Sequence, residues 1–165
     1  MLDTPAYERS PTRAVAIVRT AANGSFSFRV PASTPSSRLT FAYSPQLGEP
    51  APSVTDSLRL TVPASLTLQV TPRDSHRGGT IVFSGTLRGA PLPPGGKQLV
   101  LEARTPSGQW RQFQTLSTGP RAGYRASYRF RLAGPIDYQF RAISPQEADF
   151  PYARGSSNVV LVHER

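Results

Sequence analysis

The sequence predicts an all-β chain arranged as an antiparallel sandwich, and three observations carry this. Proline occurs 17 times and glycine 13 times in 165 residues; both interrupt helices and both suit turns. Apolar and polar residues alternate along several segments, the period of a strand with one face on a core and one in water. Turn-forming clusters separate those segments at short intervals.

The clearest alternation runs over 124–132. Tyr124, Ala126, Tyr128, Phe130 and Leu132 face one way, and Arg125, Ser127, Arg129 and Arg131 the other. Six more segments read as strands: 66–70, 81–87, 98–103, 108–116, 136–143 and 157–163. In the last two, Ile136, Tyr138, Phe140 and Ala142 form one inward set, and Val159 and Leu161 the other. Between the strands lie RGG at 77–79, PLPPGG at 91–96, PSG at 106–108, GPRAG at 119–123 and AGP at 133–135. Seven short strands at this spacing read as a complete immunoglobulin-like sandwich over 64–165.

The preceding part, 1–63, repeats only the back half of that plan. RTAANGSFSFRV (19–30), SRLTFAY (37–43) and SLRLTV (57–62) line up with TGPRAGYRASYRF (118–130), IDYQFRA (136–142) and SNVVLV (157–162). Residues 14–19 match the strand ending at Leu116, and nothing before Ala14 matches the first three strands of the second copy. Two explanations stay open. The favoured one is a partial copy that lacks its first strands because a longer multidomain protein is truncated. The other is a four-stranded sheet packed against the second unit, which leaves one apolar face needing cover. At the boundary, TVPASLTLQV leaves almost no linker, so the two units are expected to form a semi-rigid rod.

The net charge of +9 is unevenly placed. Up to Pro63 six arginines face four acids; beyond it twelve arginines and one lysine face six. Such an excess suits an anionic partner, although arginines spread along strands are also ordinary solvated surface. Without cysteine, disulfides, zinc thiolate sites and cysteine nucleophiles are excluded. No apolar run approaches the 18 or so residues of a membrane-spanning helix, and the first residues lack the form of a signal peptide.

The motifs of catalysis are missing as well. His76 sits in a turn near Asp74, and His163 beside Glu164; neither has the i, i+4 partner of a metal-binding helix. Ser75, Ser156 and Ser157 lack the strand–Ser–helix elbow of a nucleophile. Glu147 and Asp149 share one loop with no rigid cleft to tune them as a carboxylate pair. No phosphate-cradling glycine loop is present. The expectation is a non-catalytic chain with no cofactor.

Residues 66–163 resemble the immunoglobulin-like repeats of secreted or cell-surface proteins of high-GC bacteria. The likeness rests on GTIVFSGTLRGAPLPPGGKQLVLEAR (79–104), GQWRQFQT (108–115), YRFR (128–131), YQFRA (138–142) and PYARGSSNVVLV (151–162). Residues 14–62 are similar to the second half of such a repeat, and there is a looser likeness to prealbumin-like accessory domains. It implies an extracellular or cell-surface architectural role, with signal and anchor outside this chain and neighbouring repeats as partners. It carries over no catalytic residue.

Within that scaffold a few residues are candidates for recognition. Arg125, Arg129 and Arg131 share one outward face, and Arg141, on the next strand, joins them in a patch with Arg154 and Tyr152 if the two strands are neighbours. Such a patch suits an acidic cell-wall glycan. Nucleic acid ranks lower, because the aromatics of this strand point inward and are not available for base stacking. Trp110 is a candidate edge anchor or sugar-stacking ring. Phe150 and Tyr152 are a flap over the end of the core or a loop contact, so any specificity of the second unit would reside in FPYAR (150–154). Tyr138, two residues before Phe140, is the candidate corner tyrosine of an immunoglobulin-like sandwich.

Overall fold

A computed structural model describes residues 13–46, 48, 51–131 and 134–165. It is all-β, with two packed sheets after Pro63 and a separate two-stranded ribbon before it. The ribbon joins β1 (Ser37–Tyr43) to β2 (Val54–Leu60), antiparallel from Ser37↔Leu60 to Tyr43↔Val54. Beyond it the strands are β3 (Ser65–Leu66), β4 (Gln69–Thr71), β5 (Asp74–Ser75), β6 (Thr80–Arg88), β7 (Gln98–Arg104) and β8 (Arg111–Ser117). They continue with β9 (Gly123–Arg129), β10 (Ile136–Ser144), β11 (Gly155–Ser156) and β12 (Val160–Glu164). Sheet one sets β3 and β4 on one side of β6 and β9 on the other. Sheet two runs β5-β12-β10-β7-β8, with β11 also on β10.

The core lies between the sheets. Leu66, Leu68, Val70, Ile81, Phe83 and Leu87 from sheet one meet Leu99, Leu101, Phe140, Ala142, Val160 and Val162 from sheet two. A run of aromatic contacts crosses the gap: Phe83 meets Phe140 edge-on at 5.0 Å between ring centres, and Phe113 meets Tyr128 at 5.5 Å. Tyr138 lies within this run, 6.0 Å from Phe140 and 5.6 Å from Phe130. Each such pair adds about 0.5–1.5 kcal/mol beyond its buried area.

Three expectations change on contact with this fold. First, the last strand has the opposite phase. Val160 and Val162 are 4% and 0% exposed, whereas Val159 and Leu161 are 50% and 41% exposed. The run Val159–Val162 is apolar in both phases, so alternation does not choose between them. Pairing does: Val160 and Val162 lie opposite Phe140 and Tyr138, and directly opposed residues share a face. Leu132, expected to extend the inward face of β9, is outside the described residues.

Second, the strand expected over 66–70 is split into β3 and β4. The Thr86 N–H donates to the Thr67 side-chain oxygen at 3.0 Å, not to the Thr67 carbonyl. The freed carbonyl accepts the Tyr124 hydroxyl. Leu68 next door bonds the Asn158 side chain twice, N–H to Oδ1 and carbonyl to Nδ2, each at 2.9 Å. Every backbone group released from the ladder that faces the interior is thus repaired by a side chain. Gly85, opposite Tyr124, makes this possible, since a methyl there would overlap the Thr67 carbonyl and the tyrosine hydroxyl.

Third, the described residues before Pro63 form fewer strands than the sequence suggests. β1 and β2 form, but 13–36 carries no strand; residues 1–12, and positions 47, 49 and 50 of the loop between β1 and β2, are outside the described residues. In the sandwich, β9 is held by β6. Residues 25–30, which align in sequence with that strand, carry no strand of their own. What remains is a ribbon whose Phe41 touches Phe26 at 5.6 Å.

Candidate recognition surface

The arginines proposed as one patch lie on two sides of the sandwich. Arg125 and Arg129 sit on β9 in sheet one, with Arg131 just beyond its end, whereas Arg141 is on β10 in sheet two. β9 pairs with β6, and β10 with β7, β11 and β12, so the two strands are not neighbours.

Their surroundings differ as much as their positions. On sheet two three guanidiniums are engaged, and Arg111 on β8 is exposed without an ion pair among the described residues. Arg141 bonds Glu102 Oε2 through Nε and Nη2, both at 2.7 Å, and Arg154 Nη2 lies 3.7 Å from Glu102 Oε1. Arg104 Nε donates to Gln139 Oε1 at 2.8 Å. Both Arg104 and Arg141 also lie over the Trp110 ring, 4.7 and 4.1 Å from its centre. Trp110 is therefore a half-buried anchor that carries two cations, each contact contributing about 0.5–1 kcal/mol.

On sheet one the arginines have no carboxylate. Arg125, Arg129 and Arg131 are exposed, and among the described residues none makes an ion pair. Arg129 Nε donates to the Gly78 carbonyl at 2.9 Å, which fixes its stem and leaves its charge uncompensated. Between and beside these cations the same face presents Ser127, Thr80, Val82 and Ser84, through the pairs Thr80↔Arg129, Val82↔Ser127 and Ser84↔Arg125. Alternation along one strand produces this row, since residues i, i+2 and i+4 share a face.

The FPYAR loop proves to be a clamp. Phe150 is buried in the core and meets the half-buried Tyr152 at 4.9 Å. Tyr152 packs where Gly89 has no side chain; a methyl at Gly89 would lie 2.7 Å from the ring. The backbone of this loop holds the segments on either side of Pro63 that join the ribbon to the sandwich. Pro151 accepts the Ser36 N–H at 2.9 Å, Ala153 N–H donates to Val62, and Ala64 N–H donates to Ala153, both at 2.9 Å. Sequence reasoning assigned the loop's aromatics to contact or flap; the clamp depends on backbone groups that alternation does not encode. Only Arg154 of this loop is exposed.

The tyrosines differ in how their hydroxyls are held. The buried hydroxyl tied to a backbone carbonyl belongs to Tyr124, while Tyr138 makes no hydrogen bond to the described residues. Burial pushes the Tyr124 phenol up to about 12. Tyr138 is also raised, chiefly by burial, with the negative Glu164 and Tyr128 adding to it.

Polar groups elsewhere are engaged in pairs or buried. His163 Nδ1 lies 2.6 Å from Asp137 Oδ1 across β10 and β12, and Arg165 pairs with Asp74 at 3.3 Å. Lys97 is fully buried, its ammonium 2.5 Å from Glu147 and 5.7 Å from the Phe150 ring centre. Glu164 is 1% exposed and, among the described residues, neither carboxylate oxygen has a hydrogen-bond partner. A shallow depression of about 550 Å³ lies at that end, lined by Pro106, Pro135, Asp137, His163 and Glu164 among others. Among the described residues no group of three His, Cys, Asp or Glu could hold a metal ion, and no helix is long and apolar enough to cross a membrane.

No family model and no curated protein matches the sequence. Among solved structures, the chain is similar to a Pseudomonas fluorescens alkylpurine DNA glycosylase, AlkC, bound to DNA containing an abasic site analog. The identity is 20% and the TM-score 0.41, over 63% of this chain and 31% of that one. It is also similar to a Listeria innocua β-glucosidase in complex with glucose, at 9% identity and a TM-score of 0.37, over 73% and 19%. The chain thus spans less than a third of either relative, and likenesses this distant carry no functional argument.

Proposed function

We propose that the chain is a non-catalytic, immunoglobulin-like interaction repeat of a longer exported surface protein, with the outer face of β9 as its recognition face for an acidic partner. The strand order supports the immunoglobulin-like reading: a short sheet of β3/β4, β6 and β9 packs against β5-β12-β10-β7-β8, the division expected of that sandwich. The ribbon β1–β2 corresponds to β10 and β12 of the complete copy, which supports a tandem arrangement over 1–63 and 64–165. The titratable groups are spent on cross-strand pairs rather than gathered in a cleft, which favours an architectural role.

One observation carries the choice of face. On sheet two Arg141 and Arg104 are held by Glu102, Gln139 and the Trp110 ring and Arg111 stands alone at the β8 edge, while Arg125, Arg129 and Arg131 stand in a row of three with no carboxylate among the described residues. Uncompensated cations on a rigid strand attract an anion over roughly a Debye length, about 8–10 Å at moderate salt. An acidic cell-wall glycan is one such partner. The test is elution from a polyanion resin. Wild type is expected to elute at clearly higher salt than an Arg125→Glu/Arg129→Glu/Arg131→Glu variant, and equal elution overturns the assignment of this face.

A further inference from the structure

The edges of the two sheets are not alike. Sheet one ends on one side in β3 and β4, pieces of two and three residues broken at Thr67–Leu68. Sheet two ends in the two-residue β5 and in β8, whose pairing with β7 shifts register between Leu101 and Glu102. Short strands and bulges are the devices that stop an edge from recruiting another strand. β9 has neither. It is seven residues long, pairs among the described residues only with β6, and keeps one register from Thr80↔Arg129 to Thr86↔Gly123.

The backbone of β9 can be apportioned between its two sides. Phe130 N–H donates to Gly79 at 3.0 Å, and Ala122 accepts from Leu87 at 2.9 Å. Even-numbered residues therefore face β6, because backbone groups alternate sides along a strand. Gly123 confirms the phase, since its carbonyl accepts from Gly119 at 2.7 Å on the other side. Arg125, Ser127 and Arg129 consequently aim their N–H and C=O groups at an open edge, and all three residues are exposed.

We propose that this edge takes up an extended acidic peptide as an added antiparallel strand. The inference rests on β9 being the recognition strand and specifies the partner. Charge selects the occupant. A second copy pairing β9 with β9 would set arginine against arginine, which is unfavourable for directly opposed like charges. A peptide of the pattern Glu-Val-Thr-Val-Glu instead sets its acids opposite Arg129 and Arg125 and its threonine opposite Ser127. Its valines fall beside Ala126 and Tyr128, which are half-buried along the same edge. Main-chain hydrogen bonds supply affinity and the alternate side chains supply selectivity, as in other cases of strand addition. A glycan cannot use the row of backbone donors and acceptors in this way.

Ser127→Pro separates the two components. It deletes an N–H that points away from β6, a position where a sheet tolerates proline, and leaves every arginine in place. Binding of a fluorescent peptide containing Glu-Val-Thr-Val-Glu is expected to weaken about tenfold in this variant, while retention on the polyanion resin is unchanged. In wild type, the same peptide should slow amide exchange at Arg125, Ser127 and Arg129, a readout that does not depend on the variant folding. Equal peptide affinity with no amide protection overturns strand addition. Resin retention without peptide binding overturns it too and leaves the charged face standing; failure of both removes the face and the edge together.

Discussion

The Tyr124 hydroxyl holds the break between β3 and β4, and its removal has a calculable signature. In Tyr124→Phe the ring still fills the space over Gly85, but the Thr67 carbonyl loses its side-chain donor. The cost is about 1–3 kcal/mol, the range for a buried polar group left without its partner. A second, pH-dependent term follows from burial. The Tyr124 phenol is raised from 10.0 to about 12 in the folded chain, with Tyr124 itself 5% exposed. Its folded value lies above its unfolded one, so the neutral hydroxyl's contribution is complete below pH 10. It is lost as pH climbs towards 12, where the unfolded chain has released the proton and the folded chain still holds it. Two units correspond to roughly 2–3 kcal/mol. Urea unfolding of wild type and Tyr124→Phe at intervals from pH 8 to 11.5 measures both terms. The wild type should be more stable by a constant margin up to about pH 9.5, and the margin should then shrink or reverse as its own stability falls more steeply. A margin independent of pH across that window would refute the assignment of the buried hydroxyl to Tyr124.

Two other consequences can be checked directly. Lys97, the chain's one lysine, is fully buried against Glu147 and Phe150. Its amine should resist acylation in native buffer and react readily in denaturant, as read by peptide mass mapping; rapid native labelling would contradict its burial. Glu164→Leu replaces a buried carboxylate that has no hydrogen-bond partner among the described residues. It is expected to raise stability by about 1–3 kcal/mol, measured as a higher urea midpoint, whereas a loss of stability would mean that the carboxylate serves a partner at that end of the sandwich.

How far the sequence reached can be seen in individual residues. Where a strand has one wet face and one dry face, as in β9, the alternation gave the burial of Tyr124 and Phe130 and the exposure of Arg125 and Arg129. Where all positions are apolar, as at Val159–Val162, periodicity is silent and the register with β10 decides. A charged residue's exposure was legible, but its partners were not. Arg141 and Arg125 look alike in the chain, and only the placement of β7 beside β10 brings Glu102 to one and leaves the other unpaired. Trp110 likewise reads as an edge anchor or a sugar-stacking ring, but its partners Arg104 and Arg141 come from two other strands.

By itself, then, the amino-acid sequence determined the all-β class, the main strands, the absence of cysteine chemistry and the row of cations along β9. These are local properties, set by periods of two and by turn residues a few positions apart. Tertiary structure decided which strands are neighbours, that the arginines divide between two sheets, that FPYAR clamps the junction, and that β9 alone among the sandwich's edge strands is long and unbroken. These depend on contacts between residues dozens of positions apart, and a strand's own sequence contains no record of what lies beside it.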